Sequence, residues 1–127
     1  GKNLIGFVGA PWTLLLYMLN RESPKNNFDF NKINKDKFLI NKLLKKIEEM
    51  ICLHIDKQIE AGVNIIQIFD SWAGLLPKNE LPNYCYIPIL KIVEHIKTSS
   101  RAPNLYWALC NILHNLNDFS RGFLGSG

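Results

Sequence analysis

An acid followed at once by a hydroxyl, Asp70-Ser71, closes the apolar run "VNIIQIF". A phenol, Tyr17, comes shortly after a second apolar run that ends in Gly9-Ala10-Pro11. Hydroxyls of this kind suit the recognition of an anion, because they donate to a carboxylate without adding a charge of their own. Asp70 has two readings at this level. It is either a pocket acid or a structural one that caps a helix or pairs with a Lys or Arg of a neighbouring strand. Strand alternation sends Asp70 and Ser71 to opposite faces, so one of the pair faces a pocket. Tyr17 is either a pocket phenol or a helix residue that packs its ring and solvates its hydroxyl.

The elements that position these groups follow from the hydrophobic pattern. "LIGFVG" is a short apolar run that suits a strand buried on both faces. After Ala10-Pro11, "WTLLLYMLN" reads as a helix, and proline is well placed in a first turn because its missing N–H has no partner there. Residues 20–35 read as a polar surface loop, with Phe28 and Phe30 as an aromatic anchor. Residues 36–61 form the clearest helix. Phe38, Ile40, Leu43, Leu44, Ile47, Met50, Ile51, Ile55 and Ile59 make one stripe, and Gly62 is a natural stop. Residues 63–71 read as a second strand buried on both faces, and "WAGLLPKNELPN" as a loop. Residues 84–97 are expected to be helical with a bend at Pro88. Residues 102–109 suit a third strand.

Strands alternating with helices predict βαβ units around a parallel sheet, either open or closed into a barrel. In both, ligands sit beyond the carboxyl ends of the strands. The first strand ends in Gly9-Ala10-Pro11-Trp12 and the second in Asp70-Ser71-Trp72-Ala73-Gly74. Small residues there let a ligand approach the backbone closely.

The 127 residues suffice for about one domain, and a hydrophobic fraction of 47% with 20% charged residues is that of a globular chain. A first residue of Gly1 and a core strand only three residues later suggest a piece of something longer. The net charge of +4 comes from scattered lysines, which read as a solvated face rather than a nucleic-acid or membrane patch. Cys52, Cys85 and Cys110 form no C-x-x-C and are odd in number, so a reducing compartment is expected. No run approaches the length that spans a bilayer. G-x-G-x-x-G and G-x-x-x-x-G-K-[ST] are absent. Cys52 and His54, two apart on a helix, point to different faces, and His95 and His114 stand alone, so no metal site is expected.

"LIGFVGAPWTLLLYM" and "QIEAGVNIIQIFDSWAG" closely resemble two signature segments of the uroporphyrinogen decarboxylase family, and "IPILKIVEHIK" resembles the helix that follows. The resemblance covers residues 3–97. It implies an α/β fold, part of a (β/α)8 TIM barrel of about three consecutive βα units. Residues 98–127 are expected to be a divergent tail with a third strand and an irregular segment. The implied activity is the removal of carbon dioxide from the four acetate side chains of uroporphyrinogen III, giving coproporphyrinogen III in haem biosynthesis. No cofactor is implied, because the substrate's own pyrrole takes up the electrons. The implied partners are the tetrapyrrole substrate and, in the full-length family, a second copy in a homodimer, with no nucleic acid and no membrane. A cytoplasmic or plastid-type location is expected.

On this resemblance Phe7 corresponds to an apolar residue against the macrocycle, Tyr17 to a phenol that binds a substrate carboxylate, and Ser71 to a further carboxylate donor. Asp70 is not the family's catalytic aspartate, and a structural role is expected for it. The family's substrate-binding arginines and catalytic aspartate are expected before this segment and its late histidine after it, so the chain supplies part of a site. Two other classes are the alternatives: a cobalamin-dependent methyltransferase-like member of the same superfamily, and a basic helical module that binds anionic surfaces or RNA.

Overall fold

The computed structural model describes residues 4–20, 29–98, 106–110 and 124–126. The chain order is strand β1 (Ile5–Gly9), helices α1 (Pro11–Asn20), α2 (Phe30–Asn34) and α3 (Lys37–Glu60), strand β2 (Ile65–Phe69), helix α4 (Ile87–Thr98), and strands β3 (Tyr106–Cys110) and β4 (Leu124–Ser126). The strands form one sheet in the order β1-β2-β3-β4. β1 pairs with β2 in parallel, with Phe7 opposite Gln67, and β2 pairs with β3 in parallel, with Phe69 opposite Cys110. β4 runs antiparallel to β3. A (β/α)8 barrel has parallel neighbours throughout, so β4 departs from that pattern. The third strand expected over 102–109 is met by β3, and residues 102–105 lie outside the described residues.

α3 forms where the spacing of its apolar residues requires. Asp36 caps it, its Oδ1 accepting from the Leu39 N–H, and Gly62 closes it in the left-handed region at φ 99°. The buried stripe is Ile40, Leu44, Ile47, Ile51, Ile55 and Ile59. Phe38 and Met50, expected in that stripe, are 77% and 64% exposed. At 3.6 residues per turn both fall well away from the centre of the buried stripe and point toward solvent. α3 packs on α1, α4 and β1, and His95 of α4 meets Asp56 of α3 at 2.8 Å.

The strands are not buried on both faces as expected. In β1, Gly6 and Val8 are buried, whereas Ile5 and Phe7 are 49% and 57% exposed. In β2, Ile66 and Ile68 are buried, and Ile65, Gln67 and Phe69 are only partly so. Helices cover one face of the sheet. Among the described residues nothing covers the other, and a continuous apolar run cannot tell these cases apart. β1 also lies at an edge of the sheet, where free peptide groups need partners. Gln58 supplies them: its Oε1 accepts from the Phe7 N–H and its Nε2 donates to the Phe7 carbonyl, both at 2.9 Å. That carboxamide lies over Gly6, where any Cβ would overlap Gln58 Oε1.

Two further expectations change. The segment 20–35 contains the helix α2, capped by Asp29 through Asn31 N–H, where a loop was expected. Its anchor is Phe30, with ring contacts to Trp12 and Tyr84 at 6.4 and 5.6 Å; Phe28 lies outside the described residues. The irregularity expected at Pro88 falls in the turn just before it: the wide turn Pro82–Tyr86 runs without a gap into α4, and Pro88 is the second residue of α4. The connection after β2 is two short turns, Ala73–Leu75 and Lys78–Glu80.

Candidate functional site

β1 and β2 are parallel and in register, so their carboxyl ends lie side by side. The Ala10 N–H continues the pairing beyond β1 by donating to the Phe69 carbonyl at 2.7 Å. The two segments that follow are then joined by side chains. Trp12, fully buried, donates its indole N–H to the Trp72 carbonyl at 2.9 Å. Thr13 Oγ1 donates to Asp70 Oδ1 at 2.7 Å and accepts from the Trp72 N–H at 3.3 Å. The Trp and Thr placed directly after the Gly-Ala-Pro turn therefore fasten the first helix to the end of the second strand.

Of the three expected binding residues, Tyr17 is 40% exposed and sets its ring edge-on to Trp72, with centroids 6.2 Å apart. Trp72 follows Ser71, which is partly buried. Phe7 stands on the open face of the sheet and stacks on Phe69 at 5.8 Å. Phe69 is the last residue of β2, and Ser71 lies in the turn that follows. Tyr17 thus contacts the residue after Ser71, and Phe7 contacts the last residue of β2.

Asp70 turns the other way, into the core, and is 1% exposed. It is a structural acid, as expected. Its partner is neither a helix N–H nor a cation but the Thr13 hydroxyl, joined by the thiol of Cys85. Oδ2 meets no nitrogen or oxygen donor among the described residues. Burial pushes the Asp70 carboxyl above the ordinary carboxylate range, while the Thr13 and Cys85 hydrogen bonds pull the other way. Burial and the Asp70 charge push the Cys85 thiol up, which keeps it a donor.

A consequence for pH follows. The folded chain holds the Asp70 proton more tightly than the unfolded chain does. The stability contributed by this group is full below its ordinary pKa of 3.8 and is lost as the pH rises through the raised value. The urea midpoint of wild type minus that of Asp70→Asn should therefore fall as the pH rises from 4 toward neutrality. A flat difference, or one that rises, would refute the assignment.

Sequence reasoning passed over Thr13 and Gln58. Thr13 is visible as a polar residue among apolar ones, whereas Gln58 stands among Asp56, Lys57 and Glu60 and carries no such signal; their partners lie 57 and 51 positions away. Among the described residues no group of three His, Cys, Asp or Glu side chains is placed to hold a metal ion, and no helix is long and apolar enough to cross a membrane. A groove of about 460 Å³ lies elsewhere, between α3 and α4, lined by Cys52, Leu53, Asp56, Ile92 and His95 among others.

The sequence profile of the family described as uroporphyrinogen decarboxylase (URO-D) matches residues 1–121. The chain belongs to this family. A uroporphyrinogen decarboxylase of Rickettsia bellii is 44% identical over 97 residues, which is 75% of this chain and 28% of that protein. One of Sulfurimonas denitrificans is 37% identical over 97 residues, 76% of this chain and 28% of the relative. One of Campylobacter jejuni is 38% identical over 105 residues, 82% of this chain and 30% of the relative. The chain thus spans less than a third of the length of these uroporphyrinogen decarboxylases. The family match extends past residue 97, into the segment where the sequence resemblance faded.

Proposed function

We propose that this chain forms the central βα units of a uroporphyrinogen decarboxylase barrel, and that Phe7, Tyr17 and Ser71 make one wall of its substrate pocket. The observation that carries this reading is the fastening of the two motif segments. Trp12 and Thr13 hold the backbone of Trp72, the residue after Ser71, and the Trp72 ring meets Tyr17 edge-on.

The reaction removes carbon dioxide from each acetate arm of uroporphyrinogen. Protonation of a pyrrole carbon makes the ring cationic. The bond between the acetate methylene and its carboxylate then breaks, carbon dioxide leaves, and the bonding pair flows into the ring and neutralises it. A proton added to the methylene carbon, with loss of the proton first placed on the ring carbon, completes the methyl group and restores the pyrrole. The pocket must hold a polyanion in place and favour the charged ring over the neutral one. In this scheme the Tyr17 phenol and the Ser71 hydroxyl donate to substrate carboxylates, and Phe7 packs on the macrocycle. The homodimer belongs to the same proposal.

The test is a chimera in which the matched residues of this chain replace their counterparts in the Rickettsia bellii protein. It is expected to form coproporphyrinogen. Tyr17→Phe and Ser71→Ala should each lower kcat/KM by at least about tenfold, the effect of losing one hydrogen bond to a charged group. An active chimera in which both variants stay within about twofold of the parent would remove both residues from the site.

A further inference from the structure

Among the buried polar groups, one side chain touches both halves of the site without belonging to the pocket. Thr13 is 4% exposed. Its hydroxyl donates to the buried Asp70 carboxylate and accepts from the Trp72 N–H. That N–H belongs to the peptide joining Ser71 to Trp72, so the hydrogen bond fixes the plane from which the Ser71 side chain departs. Thr13 also precedes Tyr17 by four residues within α1, which puts the two on one face of the helix a turn apart. A single hydroxyl therefore sets Ser71 through its peptide and Tyr17 through its helix. We propose that Thr13 is a positioning residue, held by Asp70, that fixes the separation of the Tyr17 and Ser71 hydroxyls to suit two carboxylates of one ligand.

The alternative is that Thr13 only fills space. The two cases predict opposite rankings for two substitutions. Thr13→Val keeps the volume and loses both hydrogen bonds, whereas Thr13→Ser keeps both hydrogen bonds and loses a methyl. If Thr13 positions the site, serine is the better replacement; if it only packs, valine is.

The significance of the two hydroxyls rests on the tetrapyrrole reading, so the experiment has two readouts. The first uses the full 127-residue chain and no ligand: hydrogen exchange of the Trp72 amide and the NMR shift of the Tyr17 ring. The second is binding of uroporphyrin, the stable oxidised form of the substrate, by the Rickettsia bellii chimera, in which the wall is part of a complete protein. Thr13→Val should speed Trp72 amide exchange and weaken uroporphyrin binding, each by about tenfold, and displace the Tyr17 resonance. Thr13→Ser should stay within about twofold of wild type in both. A serine variant that exchanges as fast as the valine variant overturns the positioning role. So does a valine variant with wild-type exchange and binding. Should valine prevent folding, the serine variant alone decides by the same exchange criterion. A chimera with Thr13 intact that binds no uroporphyrin counts against the tetrapyrrole reading, and Thr13 is then judged on amide exchange and the Tyr17 shift.

Discussion

Trp12→Ala is expected to cost about 3–5 kcal/mol and to abolish the cooperative unfolding of this chain. The indole is fully buried and is the hub of an aromatic cluster, with Tyr84 at 5.5 Å and Phe30 at 6.4 Å between ring centroids. Its N–H also satisfies the Trp72 carbonyl. Truncation opens a cavity where α1, α2 and the turn Pro82–Tyr86 meet, and it leaves that carbonyl without its indole donor. Domains of ordinary size hold only about 5–15 kcal/mol in total, so this loss takes about a fifth of the reserve or more. Trp12→Phe separates the two contributions. It keeps most of the ring packing and forfeits the hydrogen bond, a change of about 1 kcal/mol, because the Trp72 carbonyl still accepts from the Leu75 N–H at 3.1 Å. Urea unfolding followed by circular dichroism is the measurement. A Trp12→Ala chain that unfolds cooperatively within about 1 kcal/mol of wild type would show that the cluster is not the keystone of this end of the fold.

The chain announces some of this architecture and conceals the rest for physical reasons. α3 is legible because three signals agree: an apolar stripe at helical spacing, an aspartate at the N-cap, and a glycine that takes φ 99°. The strands are legible as strands, but not their burial. Ile5 and Phe7 are as apolar as Val8, and only the placement of the helices makes one face buried and the other open. α2 is concealed because five residues carry too little periodicity, and its start depends on one Asp29 cap. The site is legible to the extent that its parts are local. Tyr17 and Ser71 stand at the ends of readable elements. Their connection through Trp72, Thr13 and Asp70 depends on strand pairing, which brings residue 13 against residue 70. A run of sequence does not display a hydrogen bond between residues so far apart, although an acid after an apolar strand signals that some buried donor must answer it.

The purified chain on its own is expected to form no coproporphyrinogen, and the reason is electrostatic as well as geometric. Neither Gly6 to Met18 nor Ile65 to Leu75, the stretches that carry the proposed wall, contains a lysine or arginine. Hydroxyls orient carboxylates, but they do not offset the cost of bringing a polyanion out of water; that requires opposite charge or metal. The wall is also open. Phe7 is 57% exposed on a sheet face that no described residue covers, so water reaches the place where a cationic pyrrole would have to be stabilised. At an effective dielectric near that of water, a donor at this wall contributes a small fraction of what it would in a closed pocket. The same exposed strip, with β1 at the sheet edge guarded by Gln58, predicts self-association of the chain at high concentration. The measurement is incubation with uroporphyrinogen under reducing conditions, followed by oxidation and chromatography of the porphyrins. Coproporphyrin formed above the protein-free blank would show that this wall alone suffices, and the argument that the reaction needs surrounding cations and a closed cavity would fall with it.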